Sequence, residues 1–144
     1  MQINLPPGTS LTSNIGGNAS TTLNDGSHHL VSAGSAPSPS VGAAIGSGGS
    51  PSATIAAGGN DNGGKLTVVA GSSPGAAGVV SQVTFNIAGA AAPKAVMLTD
   101  GAAANSADAI HLYVSATAAG SFTISNQTAL TASHTYVVYY DVQW

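Results

Sequence analysis

The chain has 144 residues, of which only two are cationic and five anionic, while 43% are hydrophobic and 19 are glycines. A soluble domain usually carries charge on about 25–35% of its surface, so much of this surface is expected to consist of small uncharged residues that pack against a partner. The lack of Cys excludes disulfides and thiolate metal sites, the shortage of cations argues against a nucleic-acid partner, and no apolar run is long enough to make a membrane the partner.

The length suits one compact domain with an appendage. The composition changes near residue 59, so residues 1–58 are predicted to form an extended Gly/Ser/Ala/Pro-rich arm and residues 59–144 a folded domain. Residues 1–8 lack the basic and apolar regions of a secretory signal, and ordinary export is therefore not expected.

Within the arm, a small hairpin is predicted near residues 20–32, because two β-like runs flank a turn at Asp25-Gly26. Such a hairpin is marginal unless it docks onto something. Residues 33–52 are predicted to be a linker that flexes or lies extended. Two interpretations of the arm follow: a disordered tail, or a segment ordered by contact with a partner.

After residue 59 the sequence alternates between short β-like runs and turn residues. The last run is the clearest, with Tyr136, Val138, Tyr140 and Val142 on one face. The expected strands cover residues 65–70, 78–87, 95–99, 110–116, 121–125 and 135–142. This spacing predicts an all-β fold, a β-sandwich or jelly-roll-like body with an extended N-terminal arm. The Ala-rich residues 88–92 and 102–109 leave open some local helix.

The chain offers few residues for chemistry, and none of their patterns is convincing. His28 and His29 beside Asp25 suggest a cation site, but adjacent strand residues point to opposite faces, so a solvated turn is expected. Asp61 lies in a Gly/Asn loop that lacks the later acid of a calcium site.

A second carboxylate pattern, Asp100 with Asp108, would suit glycoside hydrolysis, but the loop between them lacks aromatic platforms for sugar rings. We therefore predict that the protein is not an enzyme and has no catalytic residue, no metal and no cofactor.

The second half resembles a β-sandwich module that recurs in tailed-bacteriophage structural proteins. The runs that carry the resemblance lie at 59–69, 83–85, 92–99, 113–115, 120–124 and 135–140. Members of this group look like tail-fibre tips or small capsid-bound proteins and are often trimeric. The chain has no heptads and no stem, which favours a protein that docks onto a shell.

The resemblance implies a capsid cement or decoration protein: a homotrimer, made in the host cytoplasm, that binds the major capsid protein at the virion surface and stabilises capsomer junctions. The alternative is a trimeric tail-fibre tip or head-fibre module that binds a host glycan or receptor. Interface residues expected for either role are Ile3, Leu5, Leu23, Leu30, Val31, His111, Tyr113, Tyr139 and Trp144.

Overall fold

The structure is a computed structural model, and it describes residues 11–14, 20–23, 30–32, 35–101 and 111–144. The chain divides into two compact units, Met1–Gly34 and Ser35–Trp144. The larger unit is a sandwich of two antiparallel four-stranded sheets, which confirms the predicted all-β fold class. No helix among the described residues is long and apolar enough to cross a membrane.

The first unit contains a three-stranded antiparallel sheet in the order β1-β2-β3. Its strands are β1 (Leu11–Asn14), β2 (Ser20–Leu23) and β3 (Leu30–Ser32). The two runs that suggested a hairpin are β2 and β3, and they pair with Leu23 opposite Leu30. Strand β1, which pairs with β2, was not predicted. The expected turn at Asp25-Gly26 lies outside the described residues.

The described residues of the second unit form eight strands in two sheets. They are β4 (Ser38–Val41), β5 (Ser52–Ile55), β6 (Gly63–Val69), β7 (Gly78–Thr84), β8 (Ala95–Asp100), β9 (Leu112–Ala118), β10 (Ser121–Asn126) and β11 (Thr135–Gln143), with a short 3-10 helix at Ala43–Ile45. One sheet has the strand order β4-β7-β10-β9, and we call it the β7 sheet. The other has the order β5-β6-β11-β8, and we call it the β6 sheet. Strands β6 to β11 correspond to the expected strands.

The core lies between the two sheets, because each central strand turns alternate apolar side chains inward. Strand β11 buries the four residues that its alternation predicted: Tyr136, Val138, Tyr140 and Val142. Phe122 of β10 connects the layers, with ring centroids 5.8 Å from Phe85 and 5.4 Å from Tyr140. Tilted aromatic pairs at these distances add to the energy of burial.

The structure differs from the expected boundary between arm and domain. Residues 35–58 belong to the sandwich: β4 pairs with β7, β5 pairs with β6, and Ile45 is only 1% exposed. The predicted linker at residues 33–52 is therefore wrong from Ser35 onwards. The reason is that β4 and β5 are Ser-, Ala- and Pro-rich edge strands, whose hydrogen bonds to apolar neighbours stabilise them without an apolar run of their own.

The Ala-rich residues 88–92 form bends and irregular chain without any helix. Their backbone is fixed by tertiary contacts instead, since Gly89 N donates to Ala119 O at 2.7 Å. The second Ala-rich segment, residues 102–109, lies outside the described part of the chain.

Candidate interaction surface

The β7 sheet carries no charge on its strands. None of β4, β7, β10 and β9 contains an Asp, Glu, Lys or Arg. Its exposed and half-buried residues are mainly hydroxyl-bearing, amide or small: Ser38, Ser40, Gln82, Thr84, Ser121, Thr123, Ala116 and Ala118, with Tyr113 near one edge. The same sheet also exposes two apolar side chains, Val41 and Val79, whereas Ser125 is buried. Thr123 lies at the centre, opposite Gln82 on one side and Ala116 on the other.

Several hydroxyl groups of this sheet are already hydrogen-bonded within it. Ser125 Oγ donates to Ser115 Oγ at 2.8 Å, and Ser115 Oγ donates to the carbonyl of Thr123 at 3.4 Å. Ser40 Oγ donates to the carbonyl of Gln82 at 3.4 Å. Burying a hydroxyl is costly mainly when it loses its partners. Water can therefore be displaced from this face at a lower cost than from a charged surface.

The two edges of the β7 sheet differ. Edge strand β4 has four residues and contains Pro39, a residue that cannot donate a backbone hydrogen bond and so discourages further pairing. Edge strand β9 has seven residues without proline or charge, and among the described residues it pairs only with β10. An uncharged edge of this length is a ready template for another β-strand.

The outer face of the β6 sheet has a different character. It carries one cationic residue, Lys65, and one anionic residue, Asp141, and it exposes Tyr139 and Met97. Tyr139 lies directly opposite Lys65 on one neighbouring strand and Thr99 on the other. The two faces of the sandwich therefore offer different chemistry, one neutral and hydroxyl-rich, the other mixed and aromatic.

The structure does not bring the predicted interface residues of the second unit together. His111 precedes β9 and Tyr113 lies within it, both exposed on the β7-sheet side, whereas Tyr139 projects from the outer face of the β6 sheet. Ile3 and Leu5 lie outside the described residues. Leu23, Leu30 and Val31 belong to β2 and β3, where only the backbone is described.

Trp144 is held by contacts inside its own chain. Its ring centroid is 5.0 Å from that of Phe85, and its Nε1 donates to Asn62 Oδ1 at 3.1 Å. Lys94 Nζ donates to its backbone oxygen at 2.7 Å. These contacts give Trp144 a packing role at the sandwich edge, although 40% of the residue stays exposed.

The loop around Asp61 serves the fold. The carboxylate accepts hydrogen bonds from the backbone N–H groups of Asn86 and Ile87, at 2.8 and 2.9 Å, and so connects the start of β6 to the chain after β7. Nearby, the buried Tyr140 hydroxyl donates to the carbonyl of Asn60 at 2.9 Å. Burial, with a smaller contribution from the negative charge of Asp61, raises the pKa of Tyr140 to about 12.

The carboxylate pair that the sequence suggested, Asp100 with Asp108, is only half described by the structure. Asp100 is exposed at the end of β8, and Asp108 lies outside the described residues, as do His28 and His29. Among the described residues, no group of three or more His, Cys, Asp or Glu side chains could hold a metal ion.

The charge-free β7 sheet was not predicted from the sequence, although each of its four segments is visibly uncharged there. The sequence does not show which strands pair, and the pairing is what places these four segments side by side.

No protein-family model matches this chain, no curated protein is significantly similar to it, and no solved structure matches its fold significantly.

Proposed function

We propose that the protein is a bacteriophage capsid cement or decoration protein, a homotrimer that binds the major capsid protein on the outer surface of the shell and stabilises capsomer junctions. The observation that carries the proposal is the uncharged, hydroxyl-rich face of the β7 sheet. The phage context and the trimer come from the resemblance of residues 59–144 to a phage β-sandwich module.

The physical case rests on the cost of removing water. A cement protein adds many modest contacts across a seam, so its docking surface must be cheap to desolvate and broad. The β7 sheet meets both needs, because it has four strands and three of its hydroxyl groups, those of Ser40, Ser115 and Ser125, have internal partners. A trimer repeats each contact three times, and once one copy is bound, the others engage at high effective concentration.

A fibre tip that binds a host glycan or receptor is the second candidate. Its support is the exposure of two tyrosines on β-strands, Tyr113 at 42% and Tyr139 at 48%. These side chains belong to opposite faces of the sandwich, so at most one of them contributes to any single ligand site.

Co-sedimentation of the purified full chain with empty phage shells that lack it tests the proposal. The wild type is expected to pellet with the shells at fixed stoichiometry, and light scattering should give three times the 13.8 kDa chain mass. A Thr123→Lys substitution places a charge at the centre of the β7 sheet and should abolish pelleting, since an unpaired charge is expensive to bury.

The matched control is Thr67→Lys. Thr67 is also a half-buried outward threonine, flanked by Thr54 and Val137 at the centre of the β6 sheet. This variant should still pellet with the shells. Normal pelleting of T123K, or a loss confined to T67K, would contradict the assignment of the docking face, and wild-type protein left in the supernatant would contradict the cement function itself.

A further inference from the structure

A shallow cavity of about 300 Å³ opens at one end of the outer face of the β6 sheet. Residues 56–59, which form the turn after β5, lie on one side, and Gly64, Lys65, Tyr139 and Tyr140 complete the lining. We call this cavity the Tyr139 hollow. Its volume is at the lower end of the range for ligand sites, about 300–1,000 Å³, which suits a group the size of one sugar ring.

Tyr139 forms an aromatic wall that is fixed from behind. A Cβ at Gly101 would lie 2.7 Å from Tyr139 Cε2 and 3.0 Å from its Cδ2, so the ring packs directly against the glycine backbone. The side chain nevertheless stays 48% exposed. An aromatic ring held in place before a ligand arrives loses less conformational freedom on binding.

The inner wall of the hollow is equally tight, because glycines replace side chains there. A Cβ at Gly64 would lie 2.6 Å from the Tyr140 hydroxyl, and one at Gly59 would lie 2.6 Å from Ile55 Cγ2. The Tyr140 hydroxyl is itself held by its hydrogen bond to Asn60. Tyr140 and Ile55 therefore occupy the space that side chains at Gly64 and Gly59 would need, and this close packing fixes the wall of the hollow on that side.

Lys65 supplies the only positive charge in the lining. The other cation of the chain, Lys94, donates to the backbone oxygen of Trp144, whereas no hydrogen bond or ion pair is formed by the Lys65 ammonium with the described residues. The acid on the facing strand is Asp141, which lies diagonally across from Lys65 on the same face and forms no ion pair with it. The Lys65 ammonium is therefore available for an anion.

We propose that the Tyr139 hollow binds an acidic pyranose, a sugar ring that carries a carboxylate. The C–H face of the ring would stack on Tyr139, and the carboxylate would accept a charge-assisted hydrogen bond from Lys65. This proposal does not depend on shell docking, since the hollow belongs to the β6 sheet and the docking face to the β7 sheet.

An NMR-detected titration of the full chain with methyl glucuronide and methyl glucoside, two probes that differ in the carboxylate, provides the test. A ligand of this size binds with a Kd of about 1 mM when each non-hydrogen atom contributes about 0.3 kcal/mol of binding free energy. The glucuronide is expected to bind in that range, with shifts at Lys65 and Tyr139, and the glucoside about tenfold more weakly because it makes no charged contact with Lys65.

Three variants assign the contacts. Lys65→Gln should remove the preference for the acidic probe, and Tyr139→Ala should weaken both probes. Tyr113→Ala, the matched control, removes a tyrosine of similar exposure from the opposite face and should change neither. Thermal unfolding of each variant shows whether the fold is kept.

Equal binding of the two probes, or no binding of the glucuronide at concentrations well above the expected Kd, would overturn the proposal. It would also be overturned if N-acetyl-aspartate amide bound as tightly as the glucuronide, since the hollow would then recognise a bare carboxylate, such as an acidic protein side chain. Failure of these tests leaves the result of shell co-sedimentation unaffected.

Discussion

Replacing Ile45 with Ala tests whether residues 35–58 are part of the sandwich. Ile45 is 1% exposed in the short 3-10 helix at 43–45, and its carbonyl accepts a hydrogen bond from Gly71 N at 2.9 Å. Truncating a fully buried Ile to Ala removes burial and leaves a cavity, which lowers the free energy of unfolding by about 2–5 kcal/mol. Ile45→Val, which removes one methylene, should lower it by about 1 kcal/mol.

Urea unfolding followed by the fluorescence of Trp144 measures this loss, because the indole packs 5.0 Å from Phe85 within the same unit. Val41→Ala is the control: Val41 lies close in sequence but is 51% exposed, so its truncation should change the free energy of unfolding by less than about 0.5 kcal/mol. If Ile45→Ala lowered the free energy of unfolding by less than about 1 kcal/mol, this segment would not pack into the core. The sequence-based prediction of an arm over residues 1–58 would then be correct.

Two further predictions concern the boundary between the two units and the ionisation of Tyr140. Deleting residues 1–34 should leave the cooperative unfolding of the sandwich intact, whereas deleting residues 1–52 removes β4 and the 3-10 helix and should abolish it; equal stability of the two truncated proteins by urea unfolding would contradict the observed boundary. Because the pKa of Tyr140 is raised from 10.0 to about 12, folding favours its neutral form, so its stabilising effect is complete below pH 10 and is lost as the pH rises through 12. Tyr140→Phe should flatten that decline in stability between pH 10 and 12, and a decline equal to that of the wild type would refute the assignment.

Much of the sandwich could be predicted from the sequence because its central strands alternate strongly. Strand β11 shows this best: the period of two predicts the core residues Tyr136, Val138, Tyr140 and Val142, although Val137 between them is also buried. Strands β4 and β5 show the limit. Their Ser, Pro, Ala and Thr residues give little local signal, and their place is set by hydrogen bonds to β7 and β6, which are distant in sequence.

Buried polar residues were equally hidden from sequence reasoning. Asn126 is 1% exposed, and its Oδ1 accepts a hydrogen bond from Gly78 N at 2.8 Å, while its Nδ2 donates to the carbonyl of Thr128. Nothing local distinguishes this residue from an exposed asparagine after a strand, because the partner that stabilises its burial lies 48 positions away.

The exposure of Tyr113 and Tyr139 could be predicted from alternation, but their separation could not. Alternation shows that each side chain points away from the core, yet it does not give the sheet to which each strand belongs. The strand order places β9 at the edge of one sheet and β11 at the centre of the other. A single surface containing both tyrosines, which the sequence-based prediction groups together as interface residues, is therefore incompatible with the fold.

The separation of these two faces makes the proposed activities compatible. The outer faces of a β-sandwich point in opposite directions, so a copy that docks through its β7 sheet would keep the Tyr139 hollow on the side away from the shell. Shell binding would then leave Lys65 and Tyr139 open to a sugar. Consequently, Thr123→Lys should retain glucuronide binding, and Tyr139→Ala should retain shell binding; if either substitution abolished both, the two sites could not be independent.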